Sequence, residues 1–292
     1  MDLADLPRRP LTVGAPAAEI VARDVARALA EDIGAGDASA ALIDADARGK
    51  AEVVARESMV LAGCAWFDAC LRTLDPAARI DWRHRDGDRV DAGEVLCAVE
   101  ANARALLSGE RSALNFLQTL SGTATTTAAF VALTAGTATR LLDTRKTLPG
   151  LRYAQKYAVR VGGAHNHRLG LYDAVLIKEN HIMAAGGIGA AIRRARTLWP
   201  ALEVEVEVEN LDEYRLALAE RPDRIMLDEL SADDLRQAIA ERVSGVELEL
   251  SGGVERERLA ELCRLGVDYI SIGALTKHLR AIDLSLRWRR PG

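Results

Sequence analysis

Short apolar runs alternate with helix-length segments throughout the second half of this 292-residue chain, and no other feature constrains the fold as strongly. Strand–helix–strand alternation at this spacing predicts βαβ units and a parallel sheet that is closed or nearly closed. Six clear strands fall short of the eight that complete an α/β barrel. The runs expected to form them are Arg140–Asp143, Ala174–Lys178, Leu202–Glu209, Arg224–Asp228, Val246–Leu250 and Tyr269–Gly273.

The first third of the chain has a different pattern, typical of an antiparallel sheet. Residues 51–61 alternate loosely as a strand, and turn signals at Asp86-Gly87 and at Asp91-Ala92-Gly93 separate further extended pieces. A helix is predicted from about Ala17 to Ala30. The boundary near residue 110 rests on the change of pattern, because no low-complexity linker separates the two regions.

Composition excludes several classes of protein. The hydrophobic fraction of 49% and the charged fraction of 28% are those of a globular chain, not a disordered one. A net charge of −5 argues against binding to a nucleic-acid backbone, although a local basic pocket remains open. With no CxxC pair and no apolar signal segment, we expect reduced cysteines and a cytoplasmic protein.

One uncharged stretch, residues 112–139, is long enough in principle to span a bilayer. Half of it is Thr, Ser, Asn, Gln and Gly, whereas a membrane helix is predominantly apolar. We therefore predict a buried helical surface that packs against the rest of the chain or a second subunit, and no membrane partner.

Every predicted parallel strand ends in a reactive or phosphate-binding type of residue, and barrel enzymes carry their chemistry at these ends. Two ends contain glycine and precede a helical segment, where backbone N–H groups and the helix dipole favour phosphate. Taken singly, each glycine cluster is more simply a tight turn. In chain order the ends are Asp143-Thr144-Arg145-Lys146, Lys178, Glu207 with Glu209, Asp228, Ser251-Gly252-Gly253 and Gly273-Ala274.

The third strand alternates strictly, with Glu203, Glu205, Glu207 and Glu209 on one face and valines on the other. A solvated edge strand is one interpretation. Because the flanking strands are apolar and offer Lys178 and Asp228 at matching ends, we favour glutamates that point into a barrel lumen and pair with lysines.

A second motif, Gly162–Arg168, contains the pair His165 and His167 in a loop before the second strand. No third ligand lies at convincing spacing, so we predict no metal there. Ordinary surface charge explains Arg152 and Arg160 but not the basic motif residues, which suit a small polyanion gripped by Arg forks. These residues are Arg111, Arg145, Lys146, Arg168 and Lys178.

Four long motifs resemble the quinolinate phosphoribosyltransferases, also called carboxylating nicotinate-nucleotide pyrophosphorylases. They are Glu110–Gln118, Asp143–Arg152, Asn166–Leu171 and Leu176–Ile182, and the similarity runs nearly end to end. The resemblance implies an α/β fold with an N-terminal α/β sandwich domain over residues 1–111, on which the tail 280–292 packs back. It also implies an open, incomplete TIM-like α/β barrel over 112–279 that carries the active site, assembled at least as a homodimer.

The resemblance implies phosphoribosyl transfer from phosphoribosyl pyrophosphate to the ring nitrogen of quinolinate with decarboxylation. The products are nicotinate mononucleotide, pyrophosphate and CO₂, a step of NAD biosynthesis. Mg²⁺ is expected as the cofactor, bound mainly through the cosubstrate, with Glu207 and Asp228 as candidate protein ligands.

The family's residues carry over one by one. Arg111 matches the arginine that reaches quinolinate from the neighbouring subunit. The cluster around the two carboxylates is Arg145, His167, Arg168 and Lys178, with Thr144 as a further substrate contact. The polar set near ribose, pyrophosphate and metal is Lys146, Glu207 and Asp228, and the catalytic set is Lys146, Lys178, Glu207 and Asp228. The 5′-phosphate loops are Ser251, Gly252, Gly253, Ile272, Gly273 and Ala274.

Departures from the family pattern are small, and alternatives remain. Glu229 stands where Asn is common, which affects the ribose and metal site, and His165 stands where a small residue is frequent.

One alternative function is that of a related pyrophosphorylase or a nicotinate phosphoribosyltransferase that uses a mono-acid; another is that of an inactive anion-binding homologue. The segment Gly87–Leu96 resembles a biotinyl or lipoyl carrier, but the nearest downstream lysine is Lys146.

Overall fold

The computed structural model describes residues 12–289, which divide into two compact units. The antiparallel-sheet unit contains Val13–Ala128, Thr147–Gly163 and residues 275–289. The parallel-sheet unit contains Ala129–Lys146 and Ala164–Ala274. The chain passes between them several times, so each unit contains more than one segment.

In chain order the helices are α1 (Ala18–Ile33), α2 (Cys64–Leu74), α3 (Ala103–Val131), α4 (Arg152–Val161), α5 (Glu179–Ala185), α6 (Ile188–Leu198), α7 (Leu211–Glu220), α8 (Ala232–Ala240), α9 (Arg256–Cys263) and α10 (Ala274–Lys277). The strands are β1 (Arg48–Ala55), β2 (Met59–Val60), β3 (Arg79–Trp82), β4 (Arg89–Val90), β5 (Val95–Asn102), β6 (Arg140–Leu142), β7 (Val175–Ile177), β8 (Val204–Val208), β9 (Arg224–Asp228), β10 (Glu247–Ser251), β11 (Tyr269–Ser271) and β12 (Leu284–Trp288).

The antiparallel-sheet unit is built on a sheet with the strand order β12-β1-β5-β3. Each neighbouring pair is antiparallel, as the sequence predicted for this region. Strand β12, from the end of the described chain, pairs with β1 in the register Ala51–Trp288 to Ala55–Leu284. The apolar face of the unit packs fully buried side chains such as Trp66 and Phe67.

Helix α3 contains residues 112–131 of the uncharged stretch. Its polar side chains bond to backbone: the Ser121 hydroxyl accepts from the N–H of Ala62 at 3.0 Å, and Thr125 accepts from the N–H of Val60 at 2.8 Å. The hydroxyl of Thr127 donates to the carbonyl one turn earlier. The prediction of a buried helical surface is confirmed, and no helix in the described chain is long and apolar enough to cross a membrane.

The parallel-sheet unit contains all six strands predicted from the alternation, in the order β6-β11-β10-β9-β8-β7. Every neighbouring pair is parallel. Within residues 12–289 the two outer strands, β6 and β7, do not pair with each other, so the sheet is open rather than a closed barrel. A single parallel bridge between Leu142 and His165 extends the edge at β6.

Strand β8 lies inside this sheet, between β7 and β9, and not at its edge. Glu203 and Glu205 are buried, Glu207 is partly buried and Glu209 is exposed. The interpretation as a solvated edge strand is therefore wrong, because neighbours on both sides cover the polar face with side chains of opposite charge.

Candidate active site

The carboxyl ends of the six parallel strands place the predicted polar residues along one edge of the sheet. Lys178 directly follows β7 and forms an ion pair with Glu207 on the neighbouring β8. Asp228 ends β9 and pairs in register with Ser251, which ends β10. Because the ends of parallel strands share an edge, residues distant in sequence form one polar surface.

Deeper in the sheet lies a network of buried charges around Arg224. Its guanidinium contacts Glu203 at 3.0 Å, Glu249 at 3.1 Å and Glu247 at 3.2 Å, and lies 4.2 Å from the ring centre of Tyr269. Burial lowers the pKa of Arg224, but the surrounding carboxylates outweigh burial and raise it. These contacts offset the high cost of burying several charges.

The loop that carries the His-x-His motif is fixed to β6 by the fully buried Asp143. One carboxylate oxygen accepts from the backbone N–H of His167 at 2.9 Å, and the other accepts from the Asn166 side-chain amide at 2.7 Å. The backbone N–H of His165 donates to Leu141 on β6 at 2.9 Å. Asp143 thereby aims the His167 ring at the polar face of β8 and β10.

Both nitrogens of the His167 ring face polar groups. Nδ1 accepts from the backbone N–H of Arg168 at 2.8 Å. Nε2 lies 3.0 Å from Oε2 of Glu205 and 3.6 Å from Oε1 of Glu249. Burial lowers the pKa of His167, but the carboxylates of Glu249 and Glu205 outweigh it and raise the pKa to about 9.

The carboxylates favour a cationic ring, whereas the Arg168 N–H favours an unprotonated Nδ1. In either form Nε2 carries a proton and faces Glu205. His167, Glu205 and Glu249 have the residue types and the proximity of a metal site. However, a metal-binding histidine offers an unprotonated nitrogen to the metal and usually donates from the other one. The hydrogen bonding of His167 is the reverse, because Nδ1 accepts and Nε2 carries the proton that faces the carboxylates. The cluster therefore does not have the arrangement of a metal site.

Two arginines, Arg145 and Arg168, lie close enough for the charge of one to act on the other. Arg145 follows β6. The pKa of Arg168 is lowered, first by the burial of Arg168 itself and then by the charge of Arg145. Nη1 of Arg145 is buried and has no hydrogen-bond partner among residues 12–289. A buried guanidinium nitrogen without a partner is costly, and a like charge nearby adds to the cost. An anion bound by both side chains would offset both costs.

Carboxylates gather at the ends of β8 and β9. Although Glu209 is exposed, its pKa is raised, first by partial desolvation and then by the nearby carboxylates. Those carboxylates belong to Glu179, Glu213, Asp228 and Glu207. The negative potential is therefore not fully compensated, and hard oxygen donors of this kind fit Mg²⁺.

The two glycine loops differ in how strongly they require glycine, because Gly252 and Gly253 have positive φ and Gly273 does not. Gly252 has φ +86°, and a Cβ there would lie 2.5 Å from Cγ of Glu229. Gly273 lies against Lys146, since a Cβ there would lie 3.2 Å from its Cδ. Helix α10 begins directly after Gly273 but has only four residues, so its dipole adds little and the open backbone matters more than predicted.

Arg111 belongs to the antiparallel-sheet unit, where it is exposed on α3. The other predicted residues belong to the parallel-sheet unit. Sequence reasoning placed Asp143 at a strand end and Glu205 on the inward face of β8 without naming either as a site residue, and it gave no role to Glu249. The alternation Val246-Glu247-Leu248-Glu249-Leu250, the same as in β8, was a signal that could have located Glu249.

Models of two protein domains match the chain. The N-terminal domain of quinolinate phosphoribosyl transferase matches residues 37–121, and the C-terminal domain matches residues 123–287. The chain belongs to the quinolinate phosphoribosyltransferase family. Its parallel and antiparallel sheets are those expected for this family, without a closed barrel.

Named members of the quinolinate phosphoribosyltransferase family are similar over almost the whole chain. The carboxylating nicotinate-nucleotide pyrophosphorylase of Mycobacterium leprae is 43% identical over 276 residues, covering 91% of this chain and 96% of the relative. A probable enzyme of the same name from Bacillus subtilis is 40% identical over 257 residues, covering 88% of this chain and 89% of the relative. The solved structure of the nicotinate-nucleotide pyrophosphorylase of Francisella tularensis superposes with a TM-score of 0.91 at 44% identity, covering 96% of this chain and 100% of that structure.

Proposed function

We propose that this chain transfers the phosphoribosyl group of phosphoribosyl pyrophosphate to the ring nitrogen of quinolinate and releases CO₂, as a pentosyltransferase of NAD biosynthesis. The observation that carries the proposal is the pair Arg145 and Arg168, with its buried, unpartnered Nη1 in the described chain. Quinolinate carries two adjacent carboxylates, and a dianion satisfies two facing guanidinium groups better than a mono-acid does.

The protein's main contribution to the phosphoribosyl transfer is to place charged side chains beside the groups on which charge develops. The quinolinate nitrogen attacks the anomeric carbon, and the C–O bond to pyrophosphate breaks with its electron pair. Negative charge therefore grows on the leaving group while positive charge grows on the ribose. Lys146 stabilises the former, and the carboxylates of Glu207 and Asp228 bind ribose hydroxyls and stabilise the latter.

Decarboxylation follows from the product of the first step. Once the nitrogen is ribosylated, its positive charge accepts electron density from the neighbouring ring carbon. The C–CO₂ bond at position 2 breaks, its electron pair stays on that carbon, and a proton from water then replaces CO₂. The cations around the 3-carboxylate keep the ring oriented during both steps.

Mg²⁺ fits the same edge of the sheet, because the carboxylates beside Glu209 leave a negative potential there. Glu207 and Asp228 would hold the ion, directly or through water, together with the cosubstrate. When bound, Mg²⁺ supplies positive charge for the pyrophosphate oxygens.

The 5′-phosphate is assigned to the loops Ser251–Gly253 and Ile272–Ala274. Both Gly252 and Gly253 have positive φ, which exposes backbone N–H groups that side chains would otherwise cover. Lys146 beside Gly273 adds a positive charge at the second loop. This arrangement favours a phosphate group over a neutral hydroxymethyl group.

The chain is proposed to act as a homo-oligomer in which Arg111 completes the quinolinate site of a neighbouring subunit. Several large apolar side chains are exposed near the open edge of the parallel sheet, which is unusual for a monomer. They are Leu171, Tyr172, Met183, Leu198 and Trp199.

All four cysteines are free, which supports the proposed cytoplasmic location.

The deciding experiment supplies the purified protein with Mg²⁺ and phosphoribosyl pyrophosphate, and with either quinolinate or nicotinate. We expect nicotinate mononucleotide and CO₂ in equal amounts from quinolinate, and no product from nicotinate. Turnover of nicotinate would favour a mono-acid enzyme, and binding without turnover of either acid would favour an inactive homologue.

Substitution of Arg145 tests the observation behind the proposal. We expect R145A to lower kcat/KM for quinolinate by about 100- to 1000-fold, because the pocket loses a preorganised charge. R145K should not restore it, since an ammonium group lacks the planar fork. Exposed Arg236 on α8, which pairs with Asp233, provides the control R236A; an equal loss there would argue against a specific site.

A further inference from the structure

Glu205 is a fully enclosed carboxylate for which the reaction outlined above has no use. It is 2% exposed and is the second residue of β8, two positions before Glu207 on the same face. It therefore lies on the same side of the sheet as Glu207 but farther from the carboxyl end of the strand, beneath the surface that quinolinate and phosphoribosyl pyrophosphate would touch.

The contacts of Glu205 lead directly to the basic pair. Its Oε2 lies 3.0 Å from Nε2 of His167. The opposite nitrogen of that ring accepts from the backbone N–H of Arg168 at 2.8 Å. The negative charge of Glu205 also favours the charged form of the Arg168 side chain. Glu205, His167 and Arg168 thus form a chain of contacts from the sheet interior to the candidate carboxylate site.

The ring of His167 is poorly placed to bind a substrate directly. Its side chain is 7% exposed, and its two ring nitrogens face Arg168 and Glu205. A ring held in this way orients its neighbours, whereas a direct ligand needs a nitrogen directed at the open site. The ring therefore acts as a spacer between the buried carboxylate and the backbone that carries Arg168.

We propose that Glu205 is a positioning residue for quinolinate: it holds the His167 ring, which sets the backbone from which the Arg168 guanidinium reaches the substrate carboxylates. The proposal rests on the proposed function of the Arg145–Arg168 pair. It assigns His167 an indirect role, in place of the direct contact with substrate that the family resemblance implied.

Glu203 offers a matched control because it directly precedes β8, lies two residues before Glu205 on the same face and is also buried. Its carboxylate contacts Arg224 at 3.0 Å, on the side of the network away from the carboxyl end of β8. Its loss would weaken the buried charge network without moving His167.

The test compares two conservative variants at each position. E205D keeps the charge but withdraws the carboxylate by one methylene from Nε2 of His167. E205Q removes the charge but keeps an acceptor oxygen at the same reach, and its amide NH₂ can still donate to Glu249. KM for quinolinate, KM for phosphoribosyl pyrophosphate, kcat and Tm are measured for these variants and for E203D and E203Q.

If Glu205 acts by position, E205D raises KM for quinolinate by about 10- to 100-fold, as expected for a small misplacement of a binding group. E205Q raises it clearly less, KM for phosphoribosyl pyrophosphate changes by less than about threefold, and the Glu203 variants alter Tm alone. E205D with unchanged KM for quinolinate, E205Q as the worse variant, or equal effects from Glu203 would each overturn the proposal. Absence of turnover by the unmodified protein would instead refute the proposed function.

Discussion

Among single residues, Glu229 has a backbone conformation that its side chain does not favour. Its φ is +54°, and left-handed conformations cost an ordinary L-residue roughly 1–2 kcal/mol. Asn adopts this region more readily than Glu. The departure noted in the sequence, Glu where Asn is common, therefore has a physical consequence at the carboxyl end of β9.

We expect E229N to stabilise the protein by about 0.5–1 kcal/mol, because it relieves part of this strain. The measurement is the urea midpoint at constant slope. E229Q is the control, since it removes the same negative charge but keeps the unfavourable backbone preference. Equal stabilisation by E229Q would mean that charge, and not backbone strain, is responsible.

The carboxylate of Asp75 links three parts of the antiparallel-sheet unit through hydrogen bonds. It accepts from the backbone N–H groups of Asn102 at 2.7 Å and Ala77 at 2.9 Å, and from Arg48 at 3.0 Å. The Asn102 hydrogen bond is the largest cause that lowers the pKa of Asp75. Because the folded pKa lies below the unfolded value, this stabilisation is present above the unfolded pKa and disappears as pH falls through the folded pKa.

D75N is therefore expected to lower the free energy of unfolding at pH 7 by about 1–3 kcal/mol. The difference from the unmodified protein should shrink as the pH falls below about 4, where the Asp carboxyl in the unfolded chain becomes protonated. Urea unfolding at the two pH values measures this, with exposed Asp212 as the control in D212N. A pH-independent difference would contradict the assigned cause.

At the scale of elements, α3 shows how the polar side chains of an uncharged helical stretch, residues 112–131, are accommodated inside the protein. Its hydroxyl groups bond to the backbone of the β2 region and to its own carbonyls, so they are satisfied inside the protein. The sequence predicted burial from the lack of charge, but the partners of Ser121 and Thr125 lie about 60 residues away and no local pattern reveals them.

Two glycines of α3 should respond differently to alanine, although alanine gains up to about 1 kcal/mol of helix propensity over glycine. A Cβ at Gly122 would lie 2.2 Å from the carbonyl oxygen of Arg280, which is rigid backbone. A Cβ at Gly109 would lie 3.1 Å from the flexible tips of Leu71 and Leu74. We expect G122A to destabilise by about 1–3 kcal/mol and G109A by much less, measured as Tm; equal values would contradict the close approach at Gly122.

For the whole molecule, the proposed sharing of the site between subunits makes a specific prediction. R111A and K146A should each abolish most activity alone, because each removes one charge from every site. Mixed in one oligomer, they should recover part of the activity, since some sites then combine an intact Arg111 with an intact Lys146. Heterodimers isolated with two affinity tags provide the sample; no recovery in them would mean that Arg111 serves its own subunit or none.

The sequence alone predicted the six parallel strands, the antiparallel first region and the polar ends of the strands, because apolar periodicity and turn residues are local properties. It also predicted that the glutamates of β8 face inward, since alternation sets the face. Which cations meet them was decided only by the tertiary structure. Lysine was expected as their partner, and Lys178 does pair with Glu207, but Glu203 meets Arg224 and Glu205 meets His167. Strand order and register bring these groups together. No short-range sequence pattern determines the register in which two strands distant in sequence pair.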